Sequence, residues 1–320
     1  MTTGMKKNNF EVLRPGINTT YQDLGRANLY HIGIPFSGAM DGRNYLIANS
    51  LVGNDKDIPV MEFAYQGPLL RLRGERICFA ISGDVTFNII RKNSKLEQGN
   101  CYQIYYLQDS DQIDILSTNK TVYGYLAIKC GFDVQSFWNS CSTNTKVKIG
   151  PNNGEKLNKG DIVPLMKSNI DISNRKIKYL NTKIEQIRVI RGTNYNYFSE
   201  EGKKIFFNKT FVVSKLTDRM GMRLEGPRIE NIIDTNIKSE GLIKGVIQVP
   251  ADGNPIIMLS DHGTIGGYPK IGVVISADYD KLVQLIPGSK IRFKEVNLFE
   301  AENLYKLYSM ETQNIINQIR

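Results

Sequence analysis

The stretch that decides the fold is residues 239–269, SEGLIKGVIQVPADGNPIIMLSDHGTIGGYP. Its two apolar runs, Val246–Val249 and Ile256–Leu259, predict two β-strands. Residues 250–255 (PADGNP) lie between them and have the composition of a turn, because Asp-Gly supplies positive φ and each proline fixes φ near one end. The segment therefore predicts an antiparallel hairpin.

The rest of the chain predicts a mainly β protein. Short runs rich in Ile, Val, Tyr and Phe are separated by Gly, Asn and Asp, which favours a barrel or sandwich over βαβ units. The further predicted strands are Ile77–Ile81, Val85–Ile90, Tyr102–Leu107, Tyr123–Ile128, Ile187–Ile190, Phe211–Leu216, Val273–Ile275 and Ile291–Val296. The predicted helices are few: Gly42–Val52, ended by Gly53; Asp278–Leu285; and a C-terminal helix, Phe299–Ile319.

Length and composition set the outer limits. A chain of 320 residues exceeds the usual single core, so we expect an N-terminal β-barrel-like domain over residues 1–170 and a C-terminal barrel over residues 183–320 that includes the C-terminal helix. The polar, lysine-rich segment 167–182 is the predicted boundary between them.

Several classes of protein are disfavoured by composition. The net charge of +9 is spread over short runs without a nucleic-acid-binding motif, which indicates solvated faces or an anionic substrate and no nucleic acid. No apolar run approaches the ~18 residues of a membrane span, and the first 14 residues lack the apolar part of a secretory signal. Four cysteines without C-x-x-C spacing predict reduced thiols, no metal site and a cytoplasmic protein.

Asp261 and the glycines that follow it are candidate site residues. An acid at a strand end beside a glycine-rich loop can act as a general base or hold Mg²⁺, and it can also cap the loop. The N–H groups of Gly266 and Gly267 can stabilise an oxyanion or phosphate, or the pair can form a tight turn. His262 and Tyr268 are candidate substrate-binding neighbours.

Four further residues are candidates. Arg219 and Arg223 are four residues apart, a spacing that places both on one face of a helix or strand, where they can bind a carboxylate or phosphate or pair with nearby acids. Asp41 is either the N-cap of the helix that follows it or, with Ser37, a substrate-binding residue.

Six segments, in this order, resemble the allophanate hydrolase subunit 2 family: Gly33–Asn54, Met61–Leu70, Tyr125–Gly131, Asp218–Gly226, Ser239–Ile256 and Asp261–Pro269. That family includes the C subunit of prokaryotic 5-oxoprolinase, the Kip antagonist and the carboxyltransferase part of urea carboxylase. The resemblance implies tandem cyclophilin-like β-barrels that pair with a B-subunit partner.

The chain departs from the family pattern at three informative positions. The family motif Asp-Arg-Gln-Thr-Thr-Gly-Gly-Tyr has His262 in place of its arginine here, and Cys141 stands where a second motif has arginine. Lys244 stands where the family often has proline, and we expect it to face solvent. These changes indicate a divergent member.

The resemblance implies three alternative functions. The first is a subunit of an ATP-dependent 5-oxoprolinase that acts with a Kip inhibitor-like B-subunit homologue and a lactam-binding A-type partner. In that case ATP, with Mg²⁺, would be shared with the partner, because the chain has no Walker A sequence. The second is a biotin-dependent carboxyltransferase working with a biotin carboxylase and a carrier protein, since the chain carries no biotin-acceptor sequence of its own. The third is a non-catalytic binding protein like the Kip antagonist.

Overall fold

The computed structural model describes residues 8–168, 174–179, 184, 186–233 and 235–319. The chain divides into two compact units: a first unit of Met1–Arg26, Gly42–Asn181 and Gln313–Arg320, and a second unit of Ala27–Asp41 and Thr182–Thr312. Both units consist mainly of antiparallel strands, which confirms the predicted mainly β fold.

The first unit contains two sheets. The six-stranded sheet has the order β11-β1-β4-β9-β6-β7 and the five-stranded sheet the order β2-β3-β10-β5-β8. Its strands are β1 (Asn9–Arg14), β2 (Thr20–Gln22), β3 (Val60–Ala64), β4 (Leu69–Arg73), β5 (Ile77–Ser82), β6 (Val85–Ile90), β7 (Leu96–Gln98), β8 (Ile104–Leu107), β9 (Gln112–Thr118), β10 (Tyr123–Ile128) and β11 (Ile162–Pro164).

One apolar core is shared by these two sheets. Phe10 of β1 and Phe87 of β6, from the first sheet, belong to the same buried cluster as Phe63 of β3 and Phe79 of β5, from the second. The alternation of buried and half-buried residues along β6 shows that only one face of that strand reaches the core, whereas every residue of β3, β5 and β10 is buried.

The second unit is built on a closed seven-stranded barrel of order β12-β19-β16-β17-β14-β13-β20, which the parallel pairing of β12 with β20 closes. A separate two-stranded ribbon pairs β15 with β18. The strands of this unit are β12 (Gln186–Arg191), β13 (Phe211–Val213), β14 (Gly221–Glu225), β15 (Glu240–Gly241), β16 (Val246–Gln248), β17 (Ile256–Met258), β18 (Ile265–Gly266), β19 (Lys270–Val274) and β20 (Lys290–Glu295).

The predicted hairpin is confirmed. Strands β16 and β17 pair antiparallel, with Ile247 opposite Ile257. The turn between them closes through a hydrogen bond from the Gly253 N–H to the Pro250 carbonyl (3.0 Å), and Gly253 has the positive φ (78°) that the Asp-Gly pair predicts.

The helices within the described residues are α1 (Gly42–Leu51), α2 (Glu200–Asn208), α3 (Ser276–Leu282) and α4 (Leu298–Asn317), and short 3₁₀ turns lie at Tyr30–Ile32, Asn152–Gly154 and Tyr195–Tyr197. Three of the four helices match predictions. Helix α2 was not predicted, although Ser199 caps it by accepting a hydrogen bond from the Gly202 N–H (2.9 Å). Phe206 of α2 stacks on Phe293 of β20, with 4.4 Å between the ring centroids, so packing against the barrel stabilises this short helix.

The two units differ from the predicted domain ranges in two places. Residues 27–41 belong to the second unit and residues 313–320 to the first. The predicted boundary segment, residues 167–182, lies largely outside the described residues. None of the helices in the described part of the chain is both long and apolar enough to cross a membrane.

Candidate functional site

Residues 27–41 bring part of an N-terminal motif into the second unit, where they contact the segment that follows β17. The carbonyl of Gly38 accepts a hydrogen bond from Arg219 Nη2 (2.7 Å), and the carbonyl of Ala39 lies 3.5 Å from Ser260 Oγ. Two distant parts of the sequence thus meet around Ser260 and Asp261. We call Tyr30, Arg219, Lys244, Asp261, His262 and Tyr279 the Arg219–Asp261 cluster.

A bidentate ion pair lies at the centre of this cluster. Arg219 Nε donates to Asp261 Oδ2 (2.8 Å) and Nη2 donates to Oδ1 (3.1 Å), and the Asp261 N–H donates to the Arg219 carbonyl (2.9 Å). The two side chains are only 7% and 3% exposed. Fork-to-fork geometry of this kind fixes both side chains, so Asp261 is held as an acceptor and Arg219 joins three chain segments.

Arg223 is not part of this arrangement, so the prediction that it shares a face with Arg219 is wrong. Arg219 lies in the bend before β14, whereas Arg223 is inside the strand, opposite Ile256, and is exposed. The spacing argument needs one regular element across all four intervening steps, and the strand begins only at Gly221. Arg223 therefore faces solvent while Arg219 is buried.

His262 is buried beside the ion pair and has a defined tautomer. Its Nδ1 lies 2.6 Å from the Gly263 carbonyl, which can only accept, so Nδ1 carries the proton. In the neutral ring Nε2 then accepts from the Tyr30 hydroxyl (3.2 Å), and the two rings stack with 5.9 Å between centroids. Burial lowers the pKa of His262, and nearby Lys244 lowers it further, against the opposing effects of the Gly263 carbonyl and Asp261.

Lys244 is exposed as a residue, as predicted, but its ammonium group is not simply solvated. Nζ lies 4.4 Å from the ring centroid of Tyr279, a buried residue of α3 whose hydroxyl is 3.4 Å from Ser260 Oγ. Desolvation by the surrounding protein lowers the pKa of Lys244, and Arg219 lowers it further while Asp280 raises it. The residue that the family often has as proline thus places a partly desolvated cation at the edge of the cluster.

Ser37 and Asp41 are both buried in the second unit. Ser37 is 1% exposed and has a positive φ of 59°, which places it in the left-handed region. Asp41 is 2% exposed and accepts a hydrogen bond from Gln284 Nε2 (2.8 Å). Asp41 directly precedes α1, and the prediction that its side chain caps that helix stays a prediction.

Gly266, Gly267 and Tyr268 lie on the ribbon β15–β18 and its continuation. A Cβ on Gly266 would come within 2.7 Å of Leu242 Cδ1, and the Gly267 carbonyl accepts from the Ile237 N–H (2.9 Å). Neither glycine has a positive φ. Close packing within the ribbon therefore accounts for the glycine pair. The Tyr268 side chain is 39% exposed, and its carbonyl accepts from Gln248 Nε2 (3.1 Å).

The first unit contains a second buried polar cluster, centred on Asp23, which the sequence analysis missed. The Asp23 carboxylate accepts from Ser140 Oγ (2.7 Å), the Cys141 N–H (2.5 Å), Ser142 Oγ (2.5 Å) and the Gly25 N–H (2.8 Å). Asp23 thus fastens the loop at residues 139–144 to the end of β2. No local signal distinguishes Asp23 in the sequence, because it lies in the mostly polar run Asn18-Thr19-Thr20-Tyr21-Gln22-Asp23.

Metal ligands do not form a group here. In the described residues, His, Cys, Asp and Glu side chains do not come together in sets of three or more that could hold a metal ion.

Comparison with known proteins assigns the chain to a family. The model of the family "Carboxyltransferase domain, subdomain A and B" matches residues 32–295, which is more than half of the chain. The chain belongs to this family. Its match includes both the Gly38 segment and the Asp261 segment that the second unit brings together.

Three relatives illustrate the range of the family. The chain is 32% identical to the C subunit of 5-oxoprolinase from Escherichia coli, over 91% of this chain and 92% of that protein. It is 29% identical to urea amidolyase of Lachancea kluyveri, over 92% of this chain but only 17% of that protein. The crystal structure of Kluyveromyces lactis urea carboxylase superposes on 98% of this chain and 30% of that one, with a TM-score of 0.87 and 28% identity. The relatives are therefore enzymes or enzyme subunits.

Proposed function

We propose that the chain is a subunit of a 5-oxoprolinase-type enzyme, which opens 5-oxoproline to glutamate with ATP and acts together with a B-subunit homologue. The observation that carries this proposal is the 32% identity to the 5-oxoprolinase C subunit, which extends along 92% of that protein. Identity to urea amidolyase is lower and covers 17% of that protein. The proposed complex is completed by a lactam-binding A-type partner.

In the proposed reaction, phosphorylation activates the lactam carbonyl of 5-oxoproline, and hydrolysis follows. ATP, with Mg²⁺, would be shared with the partner, and the described residues alone do not form a metal-ligand group. The contribution of this chain is a mostly buried polar cluster with fixed side chains. Arg219 and Asp261 lock each other and Gly38 in place, so the pair positions the loop at Ser260–His262 and does not grip the substrate through Arg219.

His262 has a role in this proposal that follows from its tautomer. Its Nδ1–H is used by the Gly263 carbonyl and its Nε2 accepts from Tyr30, so the ring orients the Tyr30 hydroxyl. A neutral imidazole at this position adds no positive charge to the cluster. We propose His262 and Tyr30 as positioning residues. Asp261 and Arg219 are proposed as the pair that fixes the positions of the chain segments carrying them.

The test is reconstitution. The chain is co-expressed with homologues of its B-type and A-type partners, and formation of glutamate and release of ADP are measured with and without 5-oxoproline. Glutamate formation that requires ATP and all partners supports the proposal. Arg223→Ala, at an exposed position outside the cluster, is the matched control and should retain full activity.

Carboxyl transfer is a second candidate, favoured by the family description and by the TM-score of 0.87 to urea carboxylase. In that reaction the carboxyl group leaves N1 of carboxybiotin for the nitrogen of an amide-like acceptor, and biotin takes the proton. Loss of carboxyl from a carboxybiotinylated carrier protein, dependent on the acceptor and not on ATP, would replace the first proposal. Stable binding to the B-subunit homologue without turnover in either assay would instead favour a Kip-antagonist-like binding protein.

A further inference from the structure

The loop that carries Lys244 is fixed at both ends. The Leu242 N–H donates to the Thr264 carbonyl (2.9 Å), and the Gly245 N–H donates to the Met258 carbonyl (2.8 Å). Leu242 itself is buried between the ribbon and the barrel strand β16. The backbone on either side of Lys244 is thus hydrogen-bonded to the ribbon segment and to β17. These bonds fix the position of the Lys244 Cα, from which the side chain extends.

The ammonium group is directed onto the cluster. Nζ lies over the Tyr279 ring, and the Tyr279 hydroxyl reaches Ser260, the residue before Asp261. An ammonium has three N–H donors, and a contact with a ring face leaves donors for another ligand. The residue as a whole is exposed, so a ligand arriving from solvent meets the Lys244 side chain first.

The charges around Lys244 leave it without a contacting counter-ion. Asp261 is occupied by Arg219, and Asp280 accepts a hydrogen bond from the Tyr308 hydroxyl. Across the residues that the structure describes, Lys244 forms no ion pair within 4.0 Å, in contrast to Lys270, which pairs with Glu240 at 2.8 Å. A partly desolvated ammonium with no carboxylate in contact gains strongly from an arriving anion, because Coulomb attraction is larger where water is partly excluded.

We propose that Lys244 is the anion-binding residue of the Arg219–Asp261 cluster and receives a carboxylate or phosphate oxyanion of the ligand. Only the identity of that ligand rests on the proposed function: it would be the carboxylate of 5-oxoproline or a phosphate of ATP. The neutral His262 nearby does not compete for the anion, and Arg219 is already engaged, so Lys244 provides the positive charge.

The first experiment needs no partner and no activity. The purified chain is treated with a limiting amount of an amine-selective acylating reagent at pH 8, and modification of Lys244 is compared with that of the exposed Lys238 by peptide mass spectrometry. Lys244 should react faster, by up to about tenfold for each unit by which its pKa is lowered. Acetate or inorganic phosphate should slow modification of Lys244 severalfold relative to chloride at equal ionic strength, and should not change Lys238.

The second experiment uses the reconstituted complex. Lys244→Met keeps the length of the side chain and removes the charge, and it should raise KM for one substrate about tenfold or more, with a smaller effect on kcat. Lys244→Arg should restore most of the affinity. A rise in KM for 5-oxoproline, together with protection by acetate, identifies the carboxylate; a rise in KM for ATP, together with protection by phosphate, identifies the phosphate.

The two proposals can fail separately. Anion protection of Lys244 in a chain that does not form an active 5-oxoprolinase would leave the anion site standing and remove the proposed function. An active complex in which Lys244→Met leaves both KM values unchanged, and in which neither anion slows modification of Lys244, would overturn the anion site alone.

Discussion

The buried ion pair makes a strong prediction for Asp261→Asn. The substitution keeps the shape of the side chain but removes its charge. The Arg219 side chain, which is only 7% exposed, then lacks the Asp261 carboxylate with which it pairs. Breaking a buried pair by removing one partner costs about 3–5 kcal/mol. The cost should reach the upper part of this range, because both Nε and Nη2 of Arg219 bond to Asp261.

The assay is urea unfolding of the purified chain, followed by circular dichroism, with thermal unfolding as a second measurement. For a unit of this size, 1 kcal/mol corresponds to about 3 °C, so Tm should fall by about 10–15 °C. The slope of the free energy against urea should stay the same, because Asp261→Asn does not change the surface exposed on unfolding.

An exposed ion pair of the same barrel provides the matched control. Arg191 and Glu295 lie 2.6 Å apart but are 59% and 40% exposed, so solvent screens the pair and Glu295→Gln should have little effect on stability. Replacing both buried partners, in Arg219→Met/Asp261→Leu, should recover part of the loss, because no charge is left buried. The reasoning fails if Asp261→Asn destabilises the chain no more than Glu295→Gln does.

Three further predictions follow from individual residues. The pKa of His262 in the folded chain lies below the ordinary value of 6.5, so as the pH falls the imidazole binds its proton first in the unfolded chain. The contribution of neutral His262 to the free energy of unfolding is therefore complete above about pH 7 and is lost as the pH drops through 6.5. His262→Gln should flatten this part of a series of denaturation measurements at different pH values. Gly266→Ala should lower stability by about 1–3 kcal/mol through overlap with Leu242, whereas Gly263→Ala, whose nearest contact would be 3.5 Å, should change it by less than about 1 kcal/mol in the same urea assay. Arg223→Ala should leave both stability and steady-state activity within about twofold of the wild type, and a larger loss of activity would return Arg223 to the site.

Local pattern was sufficient for ten of the twenty strands, and for three of the four helices, in the described part of the chain. Strands β6 and β10 begin and end where the sequence predicts, because uninterrupted apolar or alternating runs bounded by turn residues have few other stable conformations. The end of α1 was likewise predictable, since Gly53 adopts the positive φ (66°) that a residue just after a helix often needs. Helix α2 escaped prediction because a nine-residue segment with Gly202 inside has weak intrinsic helicity, and its stability comes from packing on Phe293.

The candidate site was only partly predictable from sequence. Motif spacing identifies Asp261, His262 and Arg219 as candidates. It cannot show that Arg219 pairs with Asp261 or that Arg223 is exposed, because both depend on where β14 begins.

The entry of residues 27–41 into the second unit, and the placement of Lys244 over Tyr279, involve partners far away in sequence. The amino-acid sequence by itself therefore determined the mainly β class, the hairpin and the family. The tertiary structure alone decided which charges are buried together and which cation remains available, because burial and pairing are properties of contacts between segments that no local pattern encodes.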